Sequence, residues 1–565
     1  MLKQNKNMAS LNFKGKSAVW NHHLSVPYHT LDKDKKYSLA GADENENLII
    51  EGDNLLALKA LLPKYQGKVK CIYIDPPYNT GNEGWVYNDN VNNPIIKEWI
   101  GQTVGKEGED LTRHDKWLCM MTPRLKLLRD LLSNDGVIFV SIDDHEVSNL
   151  RLLMDEIFRE ENFVGIYSWV KTQTPENLSK KTRQMVEYVL CYEKEKNDKK
   201  FKGIIRSSNT SNGLLNQSNS VKELIFPANI VSTRIKNKIL KAGAYGTDNY
   251  EVELLNDVEI KDGFFAEKFT LRSKFKWTQS KIDEEIGLGT KIMIPKETLS
   301  PAYLKDQNNP QVPVNLIDDE VGVGTNENAK AELREIFGFD TFEYPKPSSL
   351  VKYLIGFVSE KNDIILDSFA GSGTTAQSVL EFNQEDKEKR QFILIQLPEE
   401  VKKKTSSGQK NPAYEADYRF VHEITRDRVK KVIARDKLKV GFTYYKLGPS
   451  VDGKSILEGK DLPTWENFAK YVHYLATGKP IDEVKKPTAT WEIISKAKPT
   501  GIYLLYKDSV EELKELAITR DWLESIKDKE GKKIVYAPAC FLDKEVLDEH
   551  NIAFVQIPFN LFQRK

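Results

Sequence analysis

Four consecutive residues, Asp75-Pro76-Pro77-Tyr78, stand at the end of an apolar segment that begins at Val69. Two consecutive prolines fix the backbone and remove two N–H donors, so the carbonyl groups here stay available to a ligand. The Asp75 carboxylate and the Pro76 carbonyl can accept the two hydrogens of an exocyclic amine, while the Tyr78 ring can stack on a planar base. The alternative is a turn that merely ends a strand, since proline and aspartate are common in turns.

A second candidate segment runs from Asp367 to Thr375 and reads Asp-Ser-Phe-Ala-Gly-Ser-Gly-Thr-Thr. Its two glycines, Gly371 and Gly373, permit a tight turn that lets a ligand approach the backbone and the N–H groups of a following helix. No lysine follows Gly373, which excludes a phosphate-binding P-loop, and the GxGxxG dinucleotide pattern is incomplete. We therefore expect a ligand other than ATP or NAD, although such a turn by itself can be purely structural.

Short apolar strands alternate with helices around both segments. The predicted strands are Val69–Asp75, Gly136–Ile142, Asn362–Asp367 and Gln391–Leu397, and the predicted helices are Pro123–Leu132, His145–Phe158, Thr374–Phe382 and the long charged Ala413–Asp436. This alternation predicts an α/β fold with a parallel sheet. Each candidate segment follows a strand, at the carboxyl edge where such sheets bind ligands.

Together the two segments resemble the amino-methyltransferases of DNA, which use an Asp-Pro-Pro-Tyr catalytic loop and a Phe-x-Gly-x-Gly loop for S-adenosylmethionine. Asp75 precedes Asp367 by 292 residues, an order that resembles the β-type circular arrangement. The resemblance implies a Rossmann-like α/β sheet of an S-adenosylmethionine-dependent methyltransferase, with the catalytic half before the cofactor half. It also implies an inserted target-recognition domain and a C-terminal α+β domain.

Five further segments resemble one branch, the modification (Mod) subunits of type III restriction-modification systems: Asn47–Asn54, Asp75–Gly81, Asp135–Glu146, Asp319–Asn326 and Tyr344–Ser348. This resemblance implies methylation of adenine N6, on a flipped base, in a short asymmetric site of double-stranded DNA. It further implies a homodimer and a separate helicase-nuclease restriction subunit. The alternatives are a solitary methyltransferase, cytosine-N4 chemistry, an inactive DNA-binding scaffold, and RNA or protein methylation, which Asp75 and the long insert disfavour.

The resemblance also assigns residues to roles. The catalytic residues it implies are Asp75, Pro76, Pro77 and Tyr78, and the residues it implies for S-adenosyl-L-methionine are Asp53, Lys346, Pro347, Ser348, Asp367, Phe369, Ala370, Gly371, Gly373, Thr374 and Gln396. Many nucleotide-binding folds place an acidic residue after the Gly-rich loop to bind ribose, whereas this chain presents Gln396, with Glu399 as a substitute. No metal ligands are expected, because the cysteines and histidines show no metal spacing.

The 565 residues indicate three to four structural units, because one core rarely serves a chain of this length. We predict a catalytic half at 1–163, an inserted target-recognition domain at 164–325, a cofactor half at 326–440 and a C-terminal domain at 441–565. Formal net charge is zero, with 83 basic and 83 acidic residues, so DNA contact depends on local basic groups. The candidates are Lys180, Lys181, Arg183, Lys202, Arg206, Arg234, Lys236 and Lys238. No segment predicts a membrane span, and a cytoplasmic location follows.

Overall fold

A computed structural model of the chain describes residues 10–41, 47–80, 112–175, 181–203, 212–304, 312–405, 407–450, 462–481, 483–484, 491–497, 500–526 and 531–557. It divides into two compact units. The larger unit comprises Met1–Lys200 and Val314–Lys565, and the smaller unit comprises Phe201–Pro313.

The helices, in chain order, are α1 Lys16–Val19, α2 His22–Ser25, α3 Asn54–Tyr65, α4 Arg113–Leu131, α5 Val147–Phe158, α6 Gln279–Gly287, α7 Asn326–Phe337, α8 Ser348–Gly356, α9 Thr374–Asp386, α10 Pro412–Glu415, α11 Val421–Arg435, α12 Trp465–Thr477, α13 Val510–Lys514, α14 Arg520–Ser525 and α15 Lys544–Glu549. Two short 3₁₀ helices lie at Glu160–Asn162 and Asp319–Val321. In the described part of the chain, no helix combines the length and the apolar character that crossing a membrane requires.

The strands are β1 His29–Lys33, β2 Leu48–Glu51, β3 Val69–Ile74, β4 Leu132–Ile142, β5 Phe163–Val170, β6 Val186–Glu193, β7 Asn212–Gly213, β8 Lys222–Phe226, β9 Lys238–Leu240, β10 Gly243–Thr247, β11 Tyr250–Leu254, β12 Val258–Lys261, β13 Phe264–Phe265, β14 Phe269–Ser273, β15 Lys291–Met293, β16 Ala302–Leu304, β17 Leu316–Ile317, β18 Ile364–Asp367, β19 Gln391–Gln396, β20 Thr443–Ser450, β21 Trp491–Ala497, β22 Thr500–Leu505, β23 Ala517–Ile518, β24 Lys532–Ala537, β25 Ala539–Cys540 and β26 Ile552–Gln556.

The larger unit is built on one ten-stranded sheet with the order β1-β20-β2-β19-β18-β3-β4-β6-β5-β17. Its central strands, β2, β19, β18, β3 and β4, are parallel to one another. They are almost continuously apolar and buried, as strands covered on both faces must be. The predicted α/β fold class is confirmed by this sheet.

The order of the central strands creates a topological switch point between β3 and β18. From β3 the chain passes through α4 to β4 on one side, and from β18 it passes through α9 to β19 on the other. Crevices of this kind, at the carboxyl ends of parallel strands, are where α/β sheets bind ligands. The catalytic half and the cofactor half are therefore neighbours in one sheet despite their separation in sequence.

Two predicted domain boundaries differ from the structure. The insert was predicted at 164–325, but β5, β6 and β17 pair within the main sheet, so the separate unit is limited to Phe201–Pro313. The C-terminal domain was predicted from 441, but β20 lies in the main sheet between β1 and β2 and belongs with it. Both differences have one cause: strands of a shared sheet can come from distant segments, and composition does not reveal which strands pair.

The smaller unit consists of short antiparallel strands with its own apolar core. Its sheets have the orders β10-β11-β14-β8, β13-β12-β9 and β15-β16-β7. Aromatic rings stack inside it, with Phe265 and Phe269 at 4.4 Å and Phe226 and Phe269 at 5.1 Å between centroids. A second sheet of the larger unit, β21-β22-β24-β26, packs with α12 near the C-terminus.

The long charged helix predicted over Ala413–Asp436 is wrong in one respect, because the structure has two helices there, α10 and α11. Asp417, between them, has a φ of 71°. This left-handed conformation cannot continue a right-handed helix. The helix predicted from Pro123 also begins earlier, at Arg113, where Thr112 and Asp115 form a capping box.

Candidate active site

A cavity of about 800 Å³ opens at the switch point between β3 and β18. Asp75 follows the last residue of β3, and Asp367 is the last residue of β18. The two strands are paired in parallel register, with Leu366 opposite Ile72. Both predicted segments therefore reach the same cavity, whose volume suits a small-molecule ligand.

The loop that follows β3 is anchored from behind by α4. The indole Nε1 of the buried Trp117 donates to the carbonyl of Pro77 at 2.6 Å. Asn79 adopts a φ of 59°, and its amide donates to the carbonyl of Arg113 at 3.2 Å. These bonds and the fixed φ of the prolines hold Asp75 and Tyr78 toward the cavity.

Asp75 is paired with Lys346, a lysine that the sequence resemblance assigns to the cofactor. The Lys346 ammonium donates to Asp75 Oδ1 at 3.0 Å and to Oδ2 at 2.9 Å. The same ammonium lies 3.4 Å from Glu187 Oε2 and 4.9 Å from the centroid of the Tyr78 ring. Tyr78 donates its hydroxyl hydrogen to Glu187 Oε2 at 3.1 Å. The structure thus places Lys346 beside the catalytic loop.

The charges of this cluster stabilise one another. Burial alone would lower the pKa of Lys346, but Asp75 and Glu187 outweigh that effect and raise it. Burial alone would raise the pKa of Glu187, but Lys346 and Lys171 hold it below its ordinary value. Burial and the neighbouring carboxylates raise the pKa of Tyr78 well above its ordinary value. At neutral pH the cluster therefore contains the Lys346 ammonium, ionised Glu187 and the protonated phenol of Tyr78.

The Gly-rich loop that follows β18 is closed by hydrogen bonds from its own residues. Asp367 accepts from the backbone N–H of Phe369 at 2.9 Å and from the hydroxyl of Thr375 at 2.5 Å. Gly371, with a φ of 53°, donates its N–H to the side-chain carbonyl of Gln396 at 2.7 Å. Burial raises the pKa of Asp367 to about 7, against the hydrogen bonds that favour the ionised form.

Helix α11 supports this loop from outside the predicted motif. The fully buried Arg428 donates to the hydroxyl of Ser372 at 2.7 Å and to that of Thr374 at 2.8 Å. Thr425 donates its hydroxyl hydrogen to the carbonyl of Gly371. Sequence reasoning missed both residues, because nothing in the local pattern of a charged helix reveals which residues reach a distant loop.

Most of the predicted site residues share the cavity. Those that line it are Asp75, Pro76, Pro77, Tyr78, Lys346, Asp367, Phe369, Ala370, Gly371, Thr374 and Gln396. Four predicted residues, Asp53, Pro347, Ser348 and Gly373, are not among its described lining residues. Pro347 and Gly373 instead precede the first residues of α8 and α9 as N-caps.

Asp53, predicted to contact the cofactor, also has a structural role. Its carboxylate caps α3 by accepting from the N–H groups of Leu55 and Leu56 at 2.8 and 3.2 Å. It also lies 3.4 Å from the Arg124 guanidinium. The next residue, Asn54, lines the cavity and donates to the carbonyl of Ser368 at 3.1 Å. Asp53 therefore positions the start of α3.

Gln396 closes the Gly-rich loop. Its amide oxygen accepts from Gly371, and its amide nitrogen donates to the carbonyl of Leu397 at 3.1 Å. Glu399, the substitute considered for ribose, also lines the cavity. Both residues considered for the ribose therefore line the same cavity.

The basic residues predicted to contact DNA are divided between the two units. Lys181 and Arg183 are exposed on the larger unit, and Arg183 lines the cavity. Four further predicted DNA contacts are exposed on the smaller unit: Lys202, Arg234, Lys236 and Lys238. Lys238 is paired with Glu297 at 2.6 Å, which reduces its charge available to phosphate. Lys180 and Arg206 lie outside the described residues.

Glu187, Lys171 and Trp169 also belong to this site and were missed from the sequence. Glu187 is buried near the start of β6, a mostly apolar strand that ends in a second buried glutamate, Glu193. Because β6 runs antiparallel to β4, its first residues lie at the same edge of the sheet as Asp75. A carboxylate within a mostly apolar strand is a usable signal, but the predicted domain boundary placed this strand in the insert.

The fold and the site together define an α/β protein with a carboxylate and an aromatic ring at a switch-point cavity. A family model described as "DNA methylase" matches residues 69–407. The chain is 31% identical over 446 residues to the StyLTI Mod subunit of the type III system of Salmonella typhimurium, covering 76% of this chain and 64% of that relative. It is 30% identical over 498 residues to the EcoP15I Mod subunit of Escherichia coli, covering 80% and 72%.

The chain is also similar to the solved structure of the cytosine-N4-specific PvuII DNA methyltransferase. The match covers 70% of this chain and 95% of the PvuII chain, at 12% identity and a TM-score of 0.31. The family match extends over more than half of the sequence, so the chain belongs to the DNA methylase family. The predicted resemblance to type III Mod subunits is confirmed by the sequence relatives.

Proposed function

We propose that this chain is a site-specific DNA methyltransferase that transfers a methyl group from S-adenosyl-L-methionine to adenine N6 of a flipped base. In this proposal it is the modification and specificity subunit of a type III restriction-modification system. The observation that carries the proposal is the meeting of the Asp75–Tyr78 loop and the Asp367–Thr374 segment at one cavity. The family match and the type III relatives support it independently.

The residues of the Gly-rich loop fit the methionine part of S-adenosyl-L-methionine. Asp367 lines the cavity as a buried carboxyl with a pKa of about 7, which a cationic amino group would stabilise in its ionised form. A Cβ atom at Gly373 would lie 3.1 Å from the Thr425 carbonyl oxygen, so the tight turn requires glycine. When bound, the cofactor supplies a methyl group on a positively charged sulfur.

The catalytic loop accounts for recognition and orientation of the base. Asp75 and the Pro76 carbonyl accept the two N–H hydrogens of the target amine, which favours tetrahedral geometry at nitrogen and aims its electron pair at the methyl group. Stacking on Tyr78 offsets part of the cost of taking the base out of the duplex, on the order of a few kcal/mol. Orientation is the main contribution of these side chains.

Several finer assignments belong to the same proposal. The smaller unit, Phe201–Pro313, is proposed as the core of the target-recognition domain, and Lys181, Arg183, Lys202, Arg234 and Lys236 as DNA contacts. The protein acts as a homodimer, works in the cytoplasm and lends its specificity to a helicase-nuclease restriction subunit. Asp75 as the first residue of the loop favours adenine over cytosine.

The proposal is tested by base-modification sequencing of genomic DNA from a methylation-deficient host that expresses the chain alone. The matched control is the Asp75→Ala variant, which removes the carboxylate and keeps the rest of the loop. We expect N6-methyladenine on one strand of a short asymmetric motif, and its loss in the control.

The other outcomes discriminate among the alternatives. A palindromic motif methylated on both strands would indicate a solitary enzyme. N4-methylcytosine would refute the assignment of the base. Absence of modification with soluble protein that binds the cofactor would favour the DNA-binding scaffold.

A further inference from the structure

Lys346 occupies the hydrogen-bonding position that the proposed function gives to the target amine. Its ammonium donates to both carboxylate oxygens of Asp75, at 3.0 and 2.9 Å. Its side chain is 9% exposed, so this is a buried cation and not a solvated surface lysine. An amine that enters the cavity therefore finds the Asp75 carboxylate already hydrogen-bonded to the Lys346 ammonium.

A second acceptor for the ammonium lies within reach. Glu187 Oε2 is 3.4 Å from Lys346 Nζ, and the rings of Tyr78 and Trp169 lie 4.9 and 5.8 Å away. A buried ammonium requires a partner, because an unpaired charge in a buried site is strongly destabilising. Lys346 can therefore leave Asp75 and still keep a counter-charge, which Glu187 supplies.

Glu187 is itself held in place. Its Oε1 accepts from Lys171 at 3.2 Å, and its Oε2 accepts from Tyr78 at 3.1 Å. The carboxylate is buried on β6, a strand of the main sheet. A fixed acceptor beside a long, unbranched lysine makes the lysine the group that moves.

We propose that Lys346 holds the Asp75 carboxylate in the DNA-free enzyme and shifts to Glu187 when the target base enters. This inference rests on the proposed function. Lys346 and Glu187 are then positioning residues that keep Asp75 oriented before the base arrives. The exchange adds no net charge to the site, because a neutral amine replaces the ammonium at Asp75 while the ammonium stays within the cluster.

The test uses the full chain and a duplex that carries the site found by sequencing, with 2-aminopurine beside the target adenine. The fluorescence of 2-aminopurine rises when its neighbour leaves the stack, so it reports base flipping without depending on methyl transfer. The variants are Glu187→Gln, Lys346→Met and the double variant. Lys70→Met is the control, because Lys70 forms a similar ion pair with Asp135 at 2.7 Å. Lys70 lies five residues before Asp75 along the strand, a separation of about 16 Å.

Glu187→Gln removes the second negative charge and leaves only a neutral amide oxygen, so Lys346 stays on the Asp75 carboxylate, and we expect the flipping equilibrium to fall at least about tenfold. Adding Lys346→Met to this variant removes the competing donor and should restore flipping to within about threefold of the unaltered chain. A purely structural role for Glu187 predicts no such rescue, because independent losses add. Lys70→Met should leave flipping unchanged.

Normal flipping in Glu187→Gln, or a double variant that flips no better than Glu187→Gln, would overturn the inference. Failure of the proposed function gives a different result. The unaltered chain then shows neither methyl transfer nor a fluorescence change on DNA, and this result would overturn both the proposed function and the exchange of Lys346. Restored flipping in the double variant also shows that the substituted protein is folded.

Discussion

Asp75 and Asp367 lie at the carboxyl ends of two neighbouring strands, but their surroundings differ. Asp75 follows β3, has a side chain that is 27% exposed, and is paired with the Lys346 ammonium. Asp367 ends β18, is 3% exposed, and accepts from the Phe369 N–H and the Thr375 hydroxyl. Burial raises the pKa of Asp367 to about 7.

This difference separates the proposed roles of the two carboxyl groups. Asp75 is already charge-balanced, which suits an acceptor that must present oriented lone pairs to a neutral amine. Asp367 accepts hydrogen bonds from two neutral donors, the Phe369 N–H and the Thr375 hydroxyl. A cationic ligand would therefore stabilise the ionised form of Asp367 and bind to it more tightly. Two identical residue types at the same edge of one sheet thus acquire different functions from the groups that surround them.

The largest expected effect is the loss of methyl transfer in Asp75→Ala. Removing one oriented hydrogen-bonding group from a reaction centre typically costs about 10²–10³-fold in rate, and Asp75 is assigned to the reacting amine. Cofactor affinity should change less than about twofold, because Asp367 is intact. Transfer of a radiolabelled methyl group to duplex DNA measures the first quantity, and calorimetry measures the second. Full activity in this variant would refute the mechanism.

Asp367→Asn should show the reverse pattern. A hydrogen bond to a charged group contributes about 1.5–3 kcal/mol, so we expect cofactor affinity to fall about 10- to 100-fold. DNA binding in a gel-shift assay should be unchanged. Loss of DNA binding with unchanged cofactor affinity would show that the two loops have been assigned to the wrong ligands.

The raised pKa of Asp367 also predicts how cofactor binding depends on pH. Below pH 7 Asp367 is protonated and cannot pair with a cation, so affinity should rise as pH increases toward 7. The α-amino group of the cofactor has an ordinary pKa of about 8, so affinity should fall again above that pH. Calorimetry between pH 6 and 9 should give a maximum between 7 and 8, and Asp367→Asn should remove the rise on the acidic side. A rise that persists in Asp367→Asn would assign it to another group.

The parallel sheet and both loops could be predicted from the sequence because their signals are local. An apolar strand followed by Asp-Pro-Pro-Tyr or by a Gly-rich turn is recognisable within ten residues. The predicted strands at Val69, Gly136, Asn362 and Gln391 are confirmed, with ends that differ by a few residues. The carboxyl edge of parallel strands then places both loops together without further information.

The contact of Lys346 with Asp75 and that of Glu187 with Tyr78 could not be predicted from the sequence, because both contacts are long-range. Lys346 is 271 residues from Asp75 in sequence, and Glu187 reaches the site only because β6 runs antiparallel. Asp53 shows the same limit of a local pattern. Its position beside a motif predicted a ligand contact, and the structure adds that its carboxylate caps α3.

The two loops also differ in how their backbones are fixed, by prolines after β3 and by glycines after β18. Gly373→Ala should lower the free energy of unfolding by about 1–2 kcal/mol, since a φ of 86° is unfavourable for alanine. Its Cβ would also press on the Thr425 carbonyl. Gly67→Ala is the matched control, with a φ of 71° but nothing within 4 Å of the new atom. Denaturant unfolding should show a smaller loss for Gly67→Ala, and equal losses would mean that the Thr425 contact has no effect.

The smallest expected effect is that of Tyr78→Phe, which tests how much the hydroxyl of Tyr78 contributes to methyl transfer. This variant keeps the ring for stacking and removes only the hydroxyl that donates to Glu187 at 3.1 Å. A hydrogen bond of this kind contributes about 1 kcal/mol, so single-turnover methyl transfer should slow about two- to tenfold. Tyr78→Ala removes the ring as well and should reduce turnover much further, and more than it reduces DNA binding. If both variants were equally impaired, the hydroxyl and its bond to Glu187 would be the important feature of Tyr78, and stacking would contribute little.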